Sequence, residues 1–305
     1  MMMKRRNVFA AVLITALFIG TSCEKDFFID LGSGPQQLVV EAYINNEEVL
    51  GNYVVLTYSQ NYYDTGFLGI PAQGAIVTIT EGILDADGTY QWDASTKKTL
   101  HEGNVPSVPG GTVPGLYLDT SGFSNRSQAL MGKPGKFYLL EIDIKGSKYS
   151  SVTGLPQPVV LDSVTCGNYF VDSIYQKARL TLHYKDPDTI GNTQLYYWKN
   201  SFNHSKSFGW GAYGSNRFLP RTDDLTNGQY IRVTPNNGFP IGDTVNYYLV
   251  SVERRVHDFW DSYYKARDNG GPFATPVKLI SNIMGENVVG CFSGFSISPK
   301  TLIVK

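Results

Sequence analysis

Charged residues are scarce in this chain. Lys, Arg, Asp and Glu make up 17% of its 305 residues and nearly cancel, which leaves a formal net charge of −1. Disordered chains are rich in charge and poor in aromatic residues, whereas 13% of this sequence is Phe, Trp or Tyr. A nearly neutral chain also lacks the basic footprint of nucleic-acid binding. The composition predicts a folded protein and no nucleic-acid partner.

Long hydrophobic runs are also missing, which excludes a polytopic membrane protein. The apolar run Val8–Ile19 has twelve residues, interrupted only by Thr15, and a spanning helix needs about twenty. Three cations precede this run at Lys4, Arg5 and Arg6. A positive start followed by a short apolar run is typical of a signal peptide.

The end of this segment resembles the lipobox of bacterial lipoproteins. Small residues occupy positions 20–22 and Cys23 follows; in that class the Cys becomes the first mature residue and carries the lipid. Gly20 departs from the Leu that is usual there, and the alternative is an ordinary cleaved signal with an incidental Cys. The charged run Glu24–Asp26 is similar to surface-export signals of Bacteroidota lipoproteins. We expect a signal peptide at 1–22, a lipidated tether at 23–36, and a protein on the outer face of the outer membrane.

The mature chain reads as β-structure in two parts. Alternating, β-branched runs separated by turn residues predict a β-sandwich over 37–155. Its clearest hairpin is Phe137–Ile144 followed by Lys148–Val152. Two prolines within Leu155–Pro158 suggest a boundary. Strands resume in a second β-rich domain over 156–305, among them Val159–Val164, Ala178–Tyr184 and Val245–Val252.

One amphipathic helix is predicted near 253–266. Apolar and aromatic residues recur there at three- and four-residue spacing while charged residues fill the other face, and Asn269 precedes a Gly-Gly-Pro stop. The aromatic stripe favours a core role over a cofactor site. The fold class is therefore mainly β, with a sandwich followed by a β-rich domain that carries one helix.

Cysteine is rare, with three residues in the whole chain. After Cys23, only Cys166 and Cys291 remain. An oxidising envelope would permit a disulfide between them, which on the chain-entropy model would stabilise the fold by up to about 4–5 kcal/mol. Two free thiols are the other alternative.

Motifs that carry chemistry are missing as well. The four His residues show no metal-ligand spacing, and no Gly-x-Ser-x-Gly elbow occurs. Asp186-Pro187-Asp188 departs from the calcium-loop template and favours a turn between strands. Gly209–Gly214 matches Gly-x-Gly-x-x-Gly without the helix that dinucleotide binding requires. We therefore assign no catalytic residue, no metal ligand and no cofactor.

Two loops rich in aromatic residues are candidate binding surfaces. Rigid aromatic side chains on loops make contact area at low entropic cost, for a protein partner or a sugar face. The alternative is that they fold back and cover their own sandwich. The candidate residues are Tyr62 and Tyr63 in the first loop and Phe208, Trp210 and Tyr213 in the second.

The order of these features resembles the Bacteroidota lipoproteins known as the domain of unknown function 4249 family. The matching segments are Gln37–Ile44, Gly74–Thr80, Gly135–Ile142, Lys148–Ser151, Pro272–Val277, Ser281–Ile283 and Gly290–Phe295. Cys291 stands where an aromatic residue is expected. The resemblance implies an immunoglobulin- or prealbumin-like first domain and a surface lipoprotein often encoded beside TonB-dependent transporters. It implies no catalytic residues.

Three hypotheses about function follow. The first is a non-catalytic surface lipoprotein, held in outer-membrane lipid through Cys23, that serves as an accessory or binding subunit of a TonB-dependent transporter. The second is an envelope hydrolase or glycan-acting enzyme with a site between the two domains. The third is a structural or adhesive surface module.

Overall fold

The fold is mainly β, as the sequence predicts. The computed structural model describes residues 35–60, 69–104, 112–172, 174–200, 218–269, 275 and 277–305. Within these ranges the chain forms seventeen strands in two sheets and two α-helices. None of the helices in the described ranges has the length and apolar character needed to cross a bilayer.

Long strands build most of the two sheets, and a few strands of two to four residues lie beside them. In chain order, the strands and helices are β1 (Leu38–Asn45), β2 (Tyr53–Tyr58), β3 (Ile70–Pro71), β4 (Ile76–Leu84), β5 (Tyr90–Trp92), β6 (Lys98–Asn104), β7 (Thr112–Leu118), α1 (Ser121–Ser124), β8 (Phe137–Ile144), β9 (Ser147–Gly154), β10 (Ser163–Asp172), β11 (Tyr175–Lys185), β12 (Thr193–Asn200), β13 (Leu219–Thr222), β14 (Tyr230–Val233), β15 (Gly238–Pro240), β16 (Thr244–Val252), α2 (Arg254–Asp268) and β17 (Val288–Ile303).

Thirteen strands form one continuous sheet. Its order is β13-β12-β16-β17-β1-β2-β7-β6-β4-β8-β9, with β3 beside β2 and β5 beside β4. β1 and β17 pair in parallel, from Leu38 opposite Val288 to Asn45 opposite Phe295. The sheet curls back on itself, so that its last strand, β9, contacts β17. The amide of Gly294 on β17 donates a hydrogen bond to Thr153 Oγ1 on β9 at 3.0 Å.

This curl encloses the first core. Alternate residues of each strand point to one face of a sheet, and here the inward residues are aliphatic. They include Val40, Ala42 and Ile44 of β1, Val54 and Leu56 of β2, Val77 and Ile79 of β4, and Leu140 and Ile142 of β8. The predicted β-sandwich character of this part is confirmed.

Strands β12 and β16 are buried on both faces. On one face Tyr247 and Leu249 of β16 pack against the second sheet, which has the order β10-β11-β14 with β15 beside β11. On the other face Tyr248 and Val250 pack toward α2. A strand covered on both sides reads as a continuous hydrophobic run, which explains the apolar run Tyr247–Val250 in the middle of β16.

Helix α2 covers the second core, and its prediction is confirmed. Its buried side chains include Val256, Phe259, Trp260 and Tyr264, which recur at helical spacing. The Trp260 ring packs edge-to-face on Phe218 at 4.8 Å between centroids. The aromatic stripe is therefore core, as the sequence favours.

The predicted boundary at 155/156 falls between the last strand of the first core and the second sheet. Residues on its two sides nevertheless share one sheet, since β17 from the carboxyl-terminal part pairs directly with β1. By their mutual contacts, Pro35–Lys305 form one compact unit. The carboxyl-terminal strand is thus part of the framework that holds the first core.

Candidate functional site

Six of the residues singled out in the sequence lie outside the described residues: Cys23, Tyr62, Tyr63, Phe208, Trp210 and Tyr213. The structure does describe the strands that carry the longer aromatic segment. β12 and β13 are antiparallel neighbours with Tyr196 opposite Leu219. Residues 201–217 therefore connect two adjacent strands at the margin of the large sheet.

Both ends of this connection are held by side-chain contacts. Before it, Lys199 Nζ pairs with Glu48 Oε2 at 2.8 Å, and the Tyr248 hydroxyl donates to Glu48 Oε1 at 3.1 Å. After it, Phe218 is fully buried and its amide donates to the Tyr264 hydroxyl at 2.8 Å. The two ends are thereby tied to the β1–β2 turn and to α2.

Cys166 and Cys291 are free thiols, so the disulfide alternative is not formed in this structure. The physical reason is their placement: Cys291 lies in the core under α2, and Cys166 packs against the separate core of the second sheet. Burial raises the pKa of the Cys291 thiol to about 12, although a hydrogen bond from Ser293 partly opposes this. Cys291 is therefore a core residue without nucleophilic character at neutral pH.

The described histidines do not build a metal centre. His183 Nε2 lies 2.8 Å from Thr165 Oγ1, and His257 Nδ1 lies 2.9 Å from Asp258 Oδ1. Across the described ranges, no three or more His, Cys, Asp or Glu side chains are grouped so that they could hold a metal ion. These histidines make local contacts, one in the second sheet and one on α2.

Two carboxylates in and near the segment Asp186-Pro187-Asp188 accept hydrogen bonds from residues of neighbouring connections. Asp186 accepts hydrogen bonds from the Gly228 amide at 3.2 Å and from Gln194 Nε2 at 3.3 Å. Asp223 accepts the Gly191 amide at 2.9 Å. Burial and the nearby Asp223 charge raise the pKa of Asp186, partly opposed by its hydrogen bonds. The sequence predicted a turn between strands here, and Asp186-Pro187-Asp188 does lie in the connection between β11 and β12. The structure adds contacts from this connection to the loop that follows β13.

A small apolar cavity lies between α2 and the β1–β17 pair. Its volume is about 110 Å³, and its lining includes Trp260, Tyr263, Cys291 and Glu41. Glu41 accepts a hydrogen bond from the Tyr43 hydroxyl at 2.7 Å. Burial is the main reason that the pKa of Tyr43 is well above its usual value. The cavity is the size of a few non-hydrogen atoms and belongs to the packing of α2.

The β10–β11 hairpin presents four exposed apolar side chains at its end. We call Tyr169, Val171, Ile174 and Tyr175 the tip patch; Val171 and Ile174 are 73% and 85% exposed. An ion pair of 2.6 Å between Lys177 Nζ and Asp172 Oδ2 braces the hairpin beside them. Val171 pairs with Gln176 and Asp172 with Tyr175, so the exposed apolar residues lie on both faces of the hairpin end. Exposed apolar residues concentrated at one place on a protein mark interaction sites.

Sequence reasoning missed the tip patch. It ended one strand at Val164 and began the next at Ala178, whereas β10 reaches Asp172 and β11 begins at Tyr175. The available signal was apolar residues on both sides of the turn at 172–174, in a segment without helical periodicity. A hairpin that is apolar where it leaves the body of the protein indicates a contact surface.

The fold and these surfaces define a β-rich protein whose described residues offer exposed contact surfaces. The family model described as a domain of unknown function (DUF4249) matches residues 24–301. The chain therefore belongs to this family, and the resemblance noted in the sequence is confirmed. No curated protein shows significant similarity to the chain.

Proposed function

We propose that this protein is an outer-membrane lipoprotein, acylated at Cys23, that works at the cell surface as a non-catalytic accessory or binding subunit of a TonB-dependent transporter. The observation that carries the proposal is where the family match starts. It begins at residue 24, directly after the Cys that ends the lipobox-like segment. Cleavage before Cys23 would leave a mature chain that starts with the acylated Cys, and the family domain would begin at the next residue.

The position of the tip patch supports a protein partner. The chain enters the described unit at Pro35, next to Leu38, which pairs with the first residue of β17. β17 has 16 residues, a length of about 50 Å. At its far end Val304 accepts the Gly242 amide, and the adjacent Ile241 amide donates to Gln176 of the hairpin.

The tip patch therefore lies at the opposite end of β17 from the point where the tether enters. We expect the tip patch to contact parts of the partner that stand clear of the membrane.

Acylation is tested by growing cells that express the full chain with an alkyne-tagged fatty acid. We expect label on the wild type and on Cys166→Ser, and none on Cys23→Ala. Mass spectrometry should place the mature amino terminus at Cys23. An unmodified thiol there, or a product that still begins at Met1, would refute the anchor.

The partner is tested by mild-detergent extraction of cross-linked native envelopes. We expect a TonB-dependent transporter to co-purify with the wild type and to be lost with Ile174→Glu. The matched control is Leu225→Glu, because Leu225 is equally exposed but lies in the turn between β13 and β14. If the wild type purifies without a transporter, the partner is wrong even where the lipid is found.

A further inference from the structure

The outer face of the first core has a composition of its own. Strands β4 and β8 direct Val77, Ile79, Leu140 and Ile142 inward. On β9, Ser151 pairs with Leu140, so the alternate residues of all three strands form the opposite face. Three rungs cross it, and each joins residues that pair directly: Thr78 with Glu141 and Ser150, Thr80 with Leu139 and Val152, and Gly82 with Phe137 and Gly154. We call this surface the outer face.

One end of the outer face is aromatic. The Tyr90 and Trp92 rings are nearly parallel, 18° apart with centroids at 5.3 Å, and Tyr90 meets the Phe137 ring edge-on at 5.2 Å. Gly82 makes this arrangement possible, since a Cβ there would lie 2.5 Å from the Trp92 ring. Trp92 therefore lies across the strand, and Tyr90 remains 38% exposed beside it.

The other end of the outer face is polar and its charges are paired. Lys97 Nζ contacts Glu141 Oε2 at 2.8 Å, and Thr78 Oγ1 donates to the same carboxylate oxygen at 3.3 Å. Lys148 pairs with Asp143 at 3.9 Å. These residues line a shallow depression of about 360 Å³. The depression offers hydrogen-bond donors and acceptors without an uncompensated charge.

We propose that the outer face binds a neutral, unbranched oligosaccharide. A pyranose ring carries C–H groups on its faces and hydroxyls around its rim. The C–H groups pack on the exposed Tyr90 ring, and hydroxyls can exchange hydrogen bonds with Lys97 and Glu141, whose side chains are each 47% exposed. The site does not depend on acylation of Cys23, so it stands apart from the proposed function.

Charge and backbone geometry favour a sugar over other occupants. Because the ions of the polar end are paired, a charged ligand finds no free counter-charge. The backbone groups of β4 and β8 are used in the sheet ladder, so a peptide cannot add here as a further strand. A lipid chain would have to desolvate the Lys97–Glu141 pair, which is costly.

The ligand class is tested with the full-length protein in a detergent that has no sugar headgroup. The probes are cellohexaose and maltohexaose, observed by saturation-transfer NMR, which detects weak binding. We expect transfer to the ring C–H protons of at least one probe. Tyr90→Ala should weaken this binding about tenfold or more, since one lost stacking contact accounts for such a factor.

Controls separate binding from folding. Tyr175→Ala removes an exposed aromatic ring from the tip patch (51% exposed, against 38% for Tyr90) and should leave sugar binding unchanged. Glu141→Gln keeps the shape of the polar end and should weaken binding several-fold, with unaltered thermal unfolding. Absence of transfer to both probes would overturn the proposal, as would full binding by Tyr90→Ala. Binding of a fatty acid in place of the sugars would reassign the face.

Discussion

Gly290 of β17 lies directly against Val40 of β1. A Cβ on Gly290 would be 1.9 Å from the Val40 carbonyl oxygen, and Gly290 has a φ of +150°. Side chains avoid both the conformation and the contact. The parallel pairing that unites the two ends of the chain therefore requires glycine at this position.

Gly290→Ala should destabilise the protein by more than about 3 kcal/mol, because backbone strain and a backbone clash act together. The matched control is Gly146→Ala, where φ is +84° but a Cβ would meet nothing within 4 Å. That change should cost only about 1 kcal/mol. Urea unfolding measures both values, and equal losses would contradict the role of the β1–β17 contact.

Two buried tyrosines should respond oppositely to loss of the hydroxyl. The Tyr117 hydroxyl donates to the Ala72 carbonyl at 2.9 Å and accepts the Ala75 amide at 3.0 Å. The Tyr247 hydroxyl has no hydrogen-bond partner among the described residues. Tyr117→Phe should cost about 1–3 kcal/mol, and Tyr247→Phe should be neutral or stabilising. Thermal unfolding of the two variants tests this, and an equal loss would refute the distinction.

Cys291 should resist alkylation in the folded protein. Its pKa is raised from 9.0 to about 12 by burial, which lowers the thiolate fraction near pH 8 about a thousandfold. In a Cys166→Ser background, Cys291 should react with iodoacetamide only after denaturant is added. Mass spectrometry gives the modified fraction, and rapid labelling of the folded chain would show that the core under α2 opens.

The stability of the wild type should increase in mild acid relative to that of an Asp186→Asn variant. Burial and the Asp223 charge raise the pKa of Asp186 above its ordinary 3.8, so the folded state binds this proton more tightly than the unfolded state. The contribution of Asp186 to the free energy of unfolding therefore rises as pH falls through the raised pKa toward 3.8. Denaturation across this window should show that the free energy of unfolding of the wild type, measured relative to the variant, rises as pH falls; a difference that does not change with pH would contradict this.

Local elements were predictable because their causes are local. The hairpin of β8 and β9 turns at Lys145 and Gly146, with φ of +51° and +84°, as the favoured two-residue turns of hairpins require. Helix α2 follows from its apolar spacing and ends at Asp268, with Asn269 as its C-cap. These elements needed only residues within a few positions of one another.

The candidate surfaces were less predictable. The sequence pointed to aromatic loops, but it could not show that Trp92 lies across Gly82 or that Tyr90 meets Phe137, because these contacts join three strands. The tip patch was missed because the exposure of Val171 and Ile174 depends on how far the β10–β11 hairpin extends past the neighbouring strand β15, which pairs with β11 only at residues 177–179. Apolar residues look alike in a sequence whether they are covered or exposed.

Composition and pattern alone determined that this chain has a β-rich body with one long helix, since side-chain alternation and helical spacing act over short distances; they also predict a signal peptide at 1–22. Only the tertiary structure decided that β1 and β17 pair in parallel across most of the chain, that β16 is covered on both faces and that Cys166 and Cys291 lie in separate cores. Such pairings depend on which surfaces can be buried together, and residues far apart in sequence carry no local trace of that choice.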